Sequence, residues 1–540
     1  MTRHTRRQFL RSAAWGGLGL AWPAAGRAAS PTAPAKKPNV VMIVIDDLND
    51  YVTGMGGHPQ ARTPHMAKLA ASGVRFRRAY SNNPVCAPSR GSFFTGIYPH
   101  TSRMIHFGKW FENDVLINSR TLPEYFRANG YRTLGTGKLL HHWRPHVWEE
   151  SGHRADYSPF AYNGKDFVGH PSVPQPFRSI GAVDGSFAPI SDVPSVPKTA
   201  DAPGYTGWIG VPNWKTRKPF RYVSENDRDP LPDERCAQWA VNKIRSLARQ
   251  EQDRPFFLGV GFIRPHTPLY APKRFFDLFP LEDVRLPVLQ PGDADDTHYK
   301  DVFSPEQKGP RYFRLLKKSY PTLEQGLRTY VRAYLACVAF VDEQIGKVVD
   351  AVDRSPFRDN TVILLTSDHG YNLGQKDYLF KNSLWEESGH VPLIVRAPGV
   401  ARPGGVVEHP VSLIDIFPTL VDLCGLRGDT RKNARGARLD GHSMKPFLLD
   451  PDNGTWDGPD GALTVIKAER RPSEKIHQHH YALRTRRWRY VLYNNGSEEL
   501  YDHDADPREW KNLAGDPRLG KIKASLKARL FRLTGRKPAE

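Results

Sequence analysis

Three times along this 540-residue chain an apolar, largely β-branched or aromatic run stops abruptly at charged or polar residues. Residues 40–45 read Val-Val-Met-Ile-Val-Ile and end at Asp46-Asp47, and residues 361–366 end at Ser367-Asp368-His369-Gly370. Residues 256–262 lead into Arg264-Pro265-His266. Continuous apolar runs of this length suit strands buried on both faces, which is the situation of parallel strands covered by helices. In open α/β sheets ligands bind in the crevice beyond the carboxyl ends of the strands, so the three polar groups are expected to converge there. Leu335, Val338, Val341, Ile345, Val348 and Val352 recur at helical spacing and predict an amphipathic helix running into the strand at Thr361. The alternation predicts an α/β fold, a mixed sheet flanked by helices.

The chain is longer than one core needs, and its composition changes along its length. We expect an export signal over residues 1–29, a Pro/Ala-rich linker over 30–37, an α/β domain over 38–460 and a smaller unit over 461–540. Residues 150–229 are rich in Pro, Gly, Ser and Asp with little periodicity, and are expected to form a long irregular loop region. Beyond Gly461 short strand-like runs at 462–466, 481–483, 488–493 and 499–502 predict a small antiparallel sheet, followed by a helix after Lys521.

Thr5-Arg6-Arg7-Gln8-Phe9-Leu10-Arg11, then an apolar stretch of small residues and Ala28-Ala29-Ser30, have the form of a twin-arginine leader. The reading implies a Tat translocase as partner and a periplasmic or secreted product. Cleavage near Ala29 removes five arginines and no acidic residue, so the formal charge of +20 falls only to about +15. So basic a surface attracts anions, and three classes of partner fit: nucleic acid, an anionic surface or a polyanionic substrate. Export and the absence of any zinc-finger, basic-zipper or single-strand-binding pattern argue against nucleic acid. No run in the mature region is long and apolar enough to form a membrane span.

The four cysteines show no metal-ligand spacing, and a disulfide framework is not expected. Cys236, Cys337 and Cys424 lie in helix-like apolar contexts, whereas Cys86 sits among turn residues. Pro88 favours a helix start, which places residue 86 near backbone N–H groups that stabilise anionic oxygen. Asp46, Asp47, Asp368 and His369 form an oxygen-dominated set suited to Ca²⁺ or Mg²⁺ rather than zinc or copper.

The stretch Val85-Cys86-Ala87-Pro88-Ser89-Arg90, continued by Thr95-Gly96, resembles the signature C-x-P-x-R of the formylglycine-dependent sulfatases. With Gly137-Lys138-x-x-His141, Gly261-Phe262-x-x-Pro265-His266 and Thr366-Ser367-Asp368-His369-Gly370, it is most similar to the iduronate-2-sulfatase branch of that family. The resemblance implies an alkaline-phosphatase-like fold and a maturation enzyme that converts Cys86 to formylglycine (3-oxoalanine). It further implies a divalent cation held by Asp46, Asp47, Asp368, His369 and residue 86. Carried over one residue at a time, Arg90 braces the hydrated aldehyde, and Lys138 and Lys381 bind sulfate oxygens. His141 takes a proton from the hydrate, and His266 with Lys381 protonates the leaving oxygen. Spacing alone leaves open whether His141 or the adjacent His142 faces the site. The implied activity is hydrolysis of sulfate esters of glycosaminoglycans or algal-type saccharides. A phosphatase or phosphonate monoester hydrolase of the same superfamily, and a non-catalytic binder of sulfated glycans, are the competing expectations.

Overall fold

The computed structural model describes residues 37–144, 146–211, 216–250, 253–468 and 478–536. The twin-arginine leader at 1–29 and most of the linker lie outside them. The central layer is a nine-stranded mixed sheet. Its strands are β1 (Asn39–Ile45), β2 (Val74–Tyr80), β3 (Arg132–Gly137), β4 (Glu150–Arg154), β5 (Phe256–Gly261), β6 (Thr361–Ser367), β7 (His390–Arg396), β8 (Gly405–Val407) and β9 (Val411–Ser412). The order across the sheet is β8-β2-β7-β6-β1-β5-β3-β4, with β9 also on β2. Of these strands only β7 runs against its neighbours.

The three apolar runs of the sequence are the adjacent strands β6, β1 and β5. Ile45 lies beside Ser367, Val44 beside Gly261, and Gly261 beside Gly137. This register brings Asp46-Asp47, Asp368-His369, the 262–266 segment and Lys138 to one edge of the sheet. Along β1, Val41, Ile43 and Ile45 pack on the side of the 31-residue helix Leu323–Asp353. Val40, Met42 and Val44 pack with Phe93 and Phe94 of the helix Cys86–Thr95 and with the helix Ile416–Leu423. Burial on both faces is why the run is uninterrupted by polar residues.

Residues 150–229 differ from the expected loop at their start. Glu150–Arg154 pairs with β3 as the edge strand of the sheet. Its sequence, Glu-Ser-Gly-His-Arg, has no apolar alternation because an edge strand left largely to solvent needs none. Much of the region beyond it folds as short strand pairs, and Phe187–Pro189 runs beside Leu269–Ala271. At Gly461 the chain enters a four-stranded antiparallel sheet, β10 (Gly461–Ile466), β11 (His480–Thr485), β12 (Trp488–Leu492) and β13 (Glu498–Asp502), which the helix Gly520–Thr534 covers. Val465 N–H donates to the Asn82 carbonyl, and Trp385 Nε1 donates to Glu499, so this sheet is tied to the segments that carry Cys86 and Lys381. No helix among the described residues is long and apolar enough to cross a membrane.

Candidate active site

The candidate residues at the strand ends gather at that one edge, and Cys86, Arg90 and Lys381 pack against them. Cys86 follows β2 and is the first residue of its helix, with Val85 as an extended N-cap. A left-handed Gly96, φ 69°, ends the helix, which accounts for the Thr-Gly continuation of the motif. The Cys86 thiol is buried, with Sγ 3.2 Å from His369 Nε2 and 3.3 Å from Lys381 Nζ. Burial, with Asp46 close by, pushes it up to about 12. Cys236, Cys337 and Cys424 are free and buried.

Arg90 lies one helical turn after Cys86 and is fully buried. Its Nε donates to Asp368 Oδ2 at 2.8 Å, a terminal nitrogen lies 3.3 Å from Asp46 Oδ1, and it also donates to the carbonyls of Lys138 and Leu139. Lys138, also fully buried, pairs with the other Asp46 oxygen. Burial raises the Asp46 carboxyl, but Lys138, His266, Arg90 and Lys381 outweigh it and hold it well below the usual range. Lys381 Nζ donates to Asp47 Oδ1 at 2.6 Å. Asp47 is nonetheless pushed up to about 7 and Asp368 to about 6, chiefly by burial and further by the neighbouring carboxylates.

His369 places Nδ1 3.1 Å from the Gly370 carbonyl, which assigns the proton to Nδ1 and leaves the Nε2 lone pair facing Cys86 and, at 3.5 Å, Asp47 Oδ1. Burial and Lys381 hold the ring neutral. Donor atoms of Asp46, Cys86, Asp368 and His369 lie within 4.8 Å of one another, as do those of Asp46, Asp47, Cys86 and His266. The donors predicted from sequence thus form two overlapping groups, and His266 joins the second. Carboxylate oxygens around a neutral imidazole nitrogen fit a hard divalent cation, and two carboxyls raised by burial and by their neighbours would be relieved by one.

His266 has Nδ1 2.6 Å from the Thr267 carbonyl and Nε2 4.0 Å from Asp47 Oδ2. His141 makes no hydrogen bond to the cluster. It stacks edge-on with Phe107 at 4.5 Å, and burial beside Lys138 drives it down to about 2. Lys138 acts on both His141 and His142, and Asp46 and Arg90 act in addition on His141.

Sequence reasoning missed three supports. Asp233, in the first turn of the helix Pro232–Ala248, accepts the backbone N–H groups of Ile263 and Arg264 at 2.8 and 2.9 Å and fixes the segment that delivers His266. Tyr157 lies edge-on to His266 at 5.0 Å and beneath the Lys138 ammonium at 5.2 Å. Asp184 accepts from Thr267, Lys308 and Tyr312. All three lie beyond 150 in segments whose local pattern carries no signal of what they touch.

The family model for sulfatases matches residues 38–426, and that for the C-terminal part of N-sulphoglucosamine sulphohydrolase matches residues 374–536. A sulfatase of Formosa agariphila is 31% identical over 92% of this chain and 86% of its own. Mouse iduronate 2-sulfatase is 27% identical over 91% of this chain and 93% of its own. A solved structure in complex with its substrate D-glucosamine-2-N,6-O-disulfate superimposes with a TM-score of 0.61 at 20% identity, over 93% of this chain and 98% of that one. The fold is thus alkaline-phosphatase-like, and the chain belongs to the sulfatase family.

Proposed function

We propose that this sulfatase removes sulfate from a sulfated carbohydrate, of glycosaminoglycan or algal type, with Cys86 converted after translation to formylglycine. The observation that carries the reading is the setting of Cys86. It opens a helix, touches His369 and Lys381, and is ringed by Asp46, Asp47 and Asp368. A thiol pushed up to about 12 is protonated at neutral pH and a poor nucleophile, which favours a converted residue 86 as the reacting group. Asp46, Asp47, Asp368 and His369, with residue 86, would hold a divalent cation, Ca²⁺ before Mg²⁺. The bound ion would supply positive charge to the sulfate oxygens and to the attacking oxygen.

The chain's own groups do the rest. Arg90 fixes the orientation of Asp46 and Asp368. Lys138 and Lys381 exchange part of their pairing with Asp46 and Asp47 for sulfate oxygens and stabilise charge as the S–O bond breaks. His266 Nε2 donates a proton to the leaving sugar oxygen, aided by Lys381. Burial and Lys381 keep His266 neutral, and a bound sulfate ester raises its proton affinity. His141, whose Nδ1 is buried without a partner, accepts a proton from residue 86 as sulfate departs. Tyr157 and Asp184 support the view that the 150–229 region shapes the substrate pocket. The product acts in the periplasm or outside the cell after twin-arginine export.

The test is peptide mass across Cys86 in protein made with a formylglycine-generating enzyme, alongside sulfate release from an aryl sulfate and from sulfated glycans. Conversion with release, both lost in Cys86→Ala, is expected. Full conversion with no release from any sulfate ester, or faster cleavage of phosphate or phosphonate esters, overturns the reading.

A further inference from the structure

Among the described residues the exposed large aromatic side chains are Phe107 and Trp143, at 58% and 44%. Both belong to one place. Beside Lys138 the end of β3 and residues 139–144 open onto a hollow of about 290 Å³, and Trp143 forms part of its wall. Phe107 packs against His141 and His142 on that wall, with ring centroids 4.5 and 6.0 Å away. Two exposed rings at one hollow mark a contact surface, since single apolar groups scattered elsewhere need no explanation.

The charge of the hollow has one sign. Lys109, Arg144, Arg154 and the histidines 141, 142 and 153 line it, and no carboxylate does. Lys109 is paired with Glu112 at 2.6 Å, whereas Arg144 and Arg154 make no ion pair among the described residues. The Arg154 guanidinium lies 3.6 Å from the Trp143 ring centroid, which steadies the ring and leaves the cation's donors available. Nδ1 of His141 and Nδ1 of His142 are both buried without a hydrogen-bond partner. Gly137 and Leu139 both line the hollow, and Lys138 between them pairs with Asp46, so the hollow adjoins the cluster around Cys86.

We propose that this hollow is a subsite for a second, anionic sugar ring, the neighbour of the ring whose sulfate is cleaved. Phe107 and Trp143 face the apolar C–H surfaces of the sugar, and Arg144 and Arg154 take its sulfate or carboxylate. The inference rests on the reading of the substrate as a sulfated carbohydrate and makes it an oligosaccharide rather than a single sugar.

Binding is measured by calorimetry on the full chain with glucosamine-2-N,6-O-disulfate and with a heparin tetrasaccharide, and compared with Trp143→Ala/Arg154→Gln. The tetrasaccharide is expected to bind at least about tenfold more tightly than the monosaccharide, and the double variant to lose that factor while monosaccharide affinity is unchanged. Arg154→Gln alone, which keeps both exposed rings, separates the cation's share. A hyaluronan tetrasaccharide, carboxylated but unsulfated, tells which anion the arginines take: a comparable loss assigns carboxylate, and a loss confined to heparin assigns sulfate. Equal losses for both heparin-type ligands, or no tetrasaccharide advantage in the native protein, overturn the subsite. Sulfate release from 4-nitrophenyl sulfate, measured in parallel, reports on the hydrolase reading independently of either binding result.

Discussion

Glu509 is a residue whose removal should be felt at a distance, and the size of the effect follows from its surroundings. It is 1% exposed, its carboxylate accepts from Arg489 Nε, from His503 Nε2 at 2.8 Å and from the Glu386 backbone N–H at 3.0 Å, and its carbonyl accepts from Lys376. Burial alone would raise its carboxyl, but Arg489 and His503 outweigh burial and pull it from 4.5 to about 2. A depression of that size corresponds to about 3 kcal/mol favouring the ionised folded state, in line with the roughly 3–5 kcal/mol lost when one partner of a buried ion pair is removed. For an acid whose folded value is depressed, the contribution is fully present above the unfolded value of 4.5 and is lost as pH falls toward 2. Urea denaturation of Glu509→Gln should therefore show a deficit of about 3 kcal/mol at pH 7 that narrows below pH 4.5. Lys376 and Glu386, which Glu509 holds, bracket Lys381, so turnover should fall in the folded variant as well. A deficit that is the same at pH 7 and at pH 3 would refute the electrostatic account.

Gly137→Ala should cost at least about 2 kcal/mol and abolish sulfate release, because φ is +78° and an added Cβ would meet the Gly261 carbonyl at 1.8 Å; thermal melting and activity check it together. Asp415 is pushed up to about 7 from 3.8 by burial, partly offset by the N–H groups of His442 and Ser412. The folded state therefore keeps a proton that the unfolded chain releases, and this group's contribution to stability falls as pH rises from about 4 to about 7, by no more than roughly 1.4 kcal/mol per pH unit. Asp415→Asn should flatten that part of the stability profile, and an unchanged slope counts against it. Dialysis against a chelator should lower both melting temperature and sulfate release, with Ca²⁺ restoring them more fully than Mg²⁺; indifference of both readouts would remove the cation from the proposal.

Much of the site was legible because its residues lie at the ends of strands whose apolar runs announce themselves. Asp46-Asp47, Asp368-His369 and the segment holding His266 each follow such a run, and Cys86 to Arg90 carries the C-x-P-x-R pattern at the start of a helix. Edge strand Glu150–Arg154 escaped because it buries little, and a strand that buries little leaves no periodic trace.

The sequence by itself determined the kind of layer, which strands are buried on both faces, and the chemical types available at their ends, since burial and periodicity are written locally. Only the tertiary structure decided which carboxylate pairs with which cation, that His266 joins Asp46, Asp47 and Cys86, and that Asp233, Tyr157 and Asp184 support the site. It also decided that Glu509, more than 120 residues beyond Lys381, anchors the loop that carries that lysine. Those facts depend on parallel register between strands far apart in the chain and on the docking of the C-terminal sheet. Contacts of that kind are set by the free energy of the whole packed layer, and no window of sequence contains them.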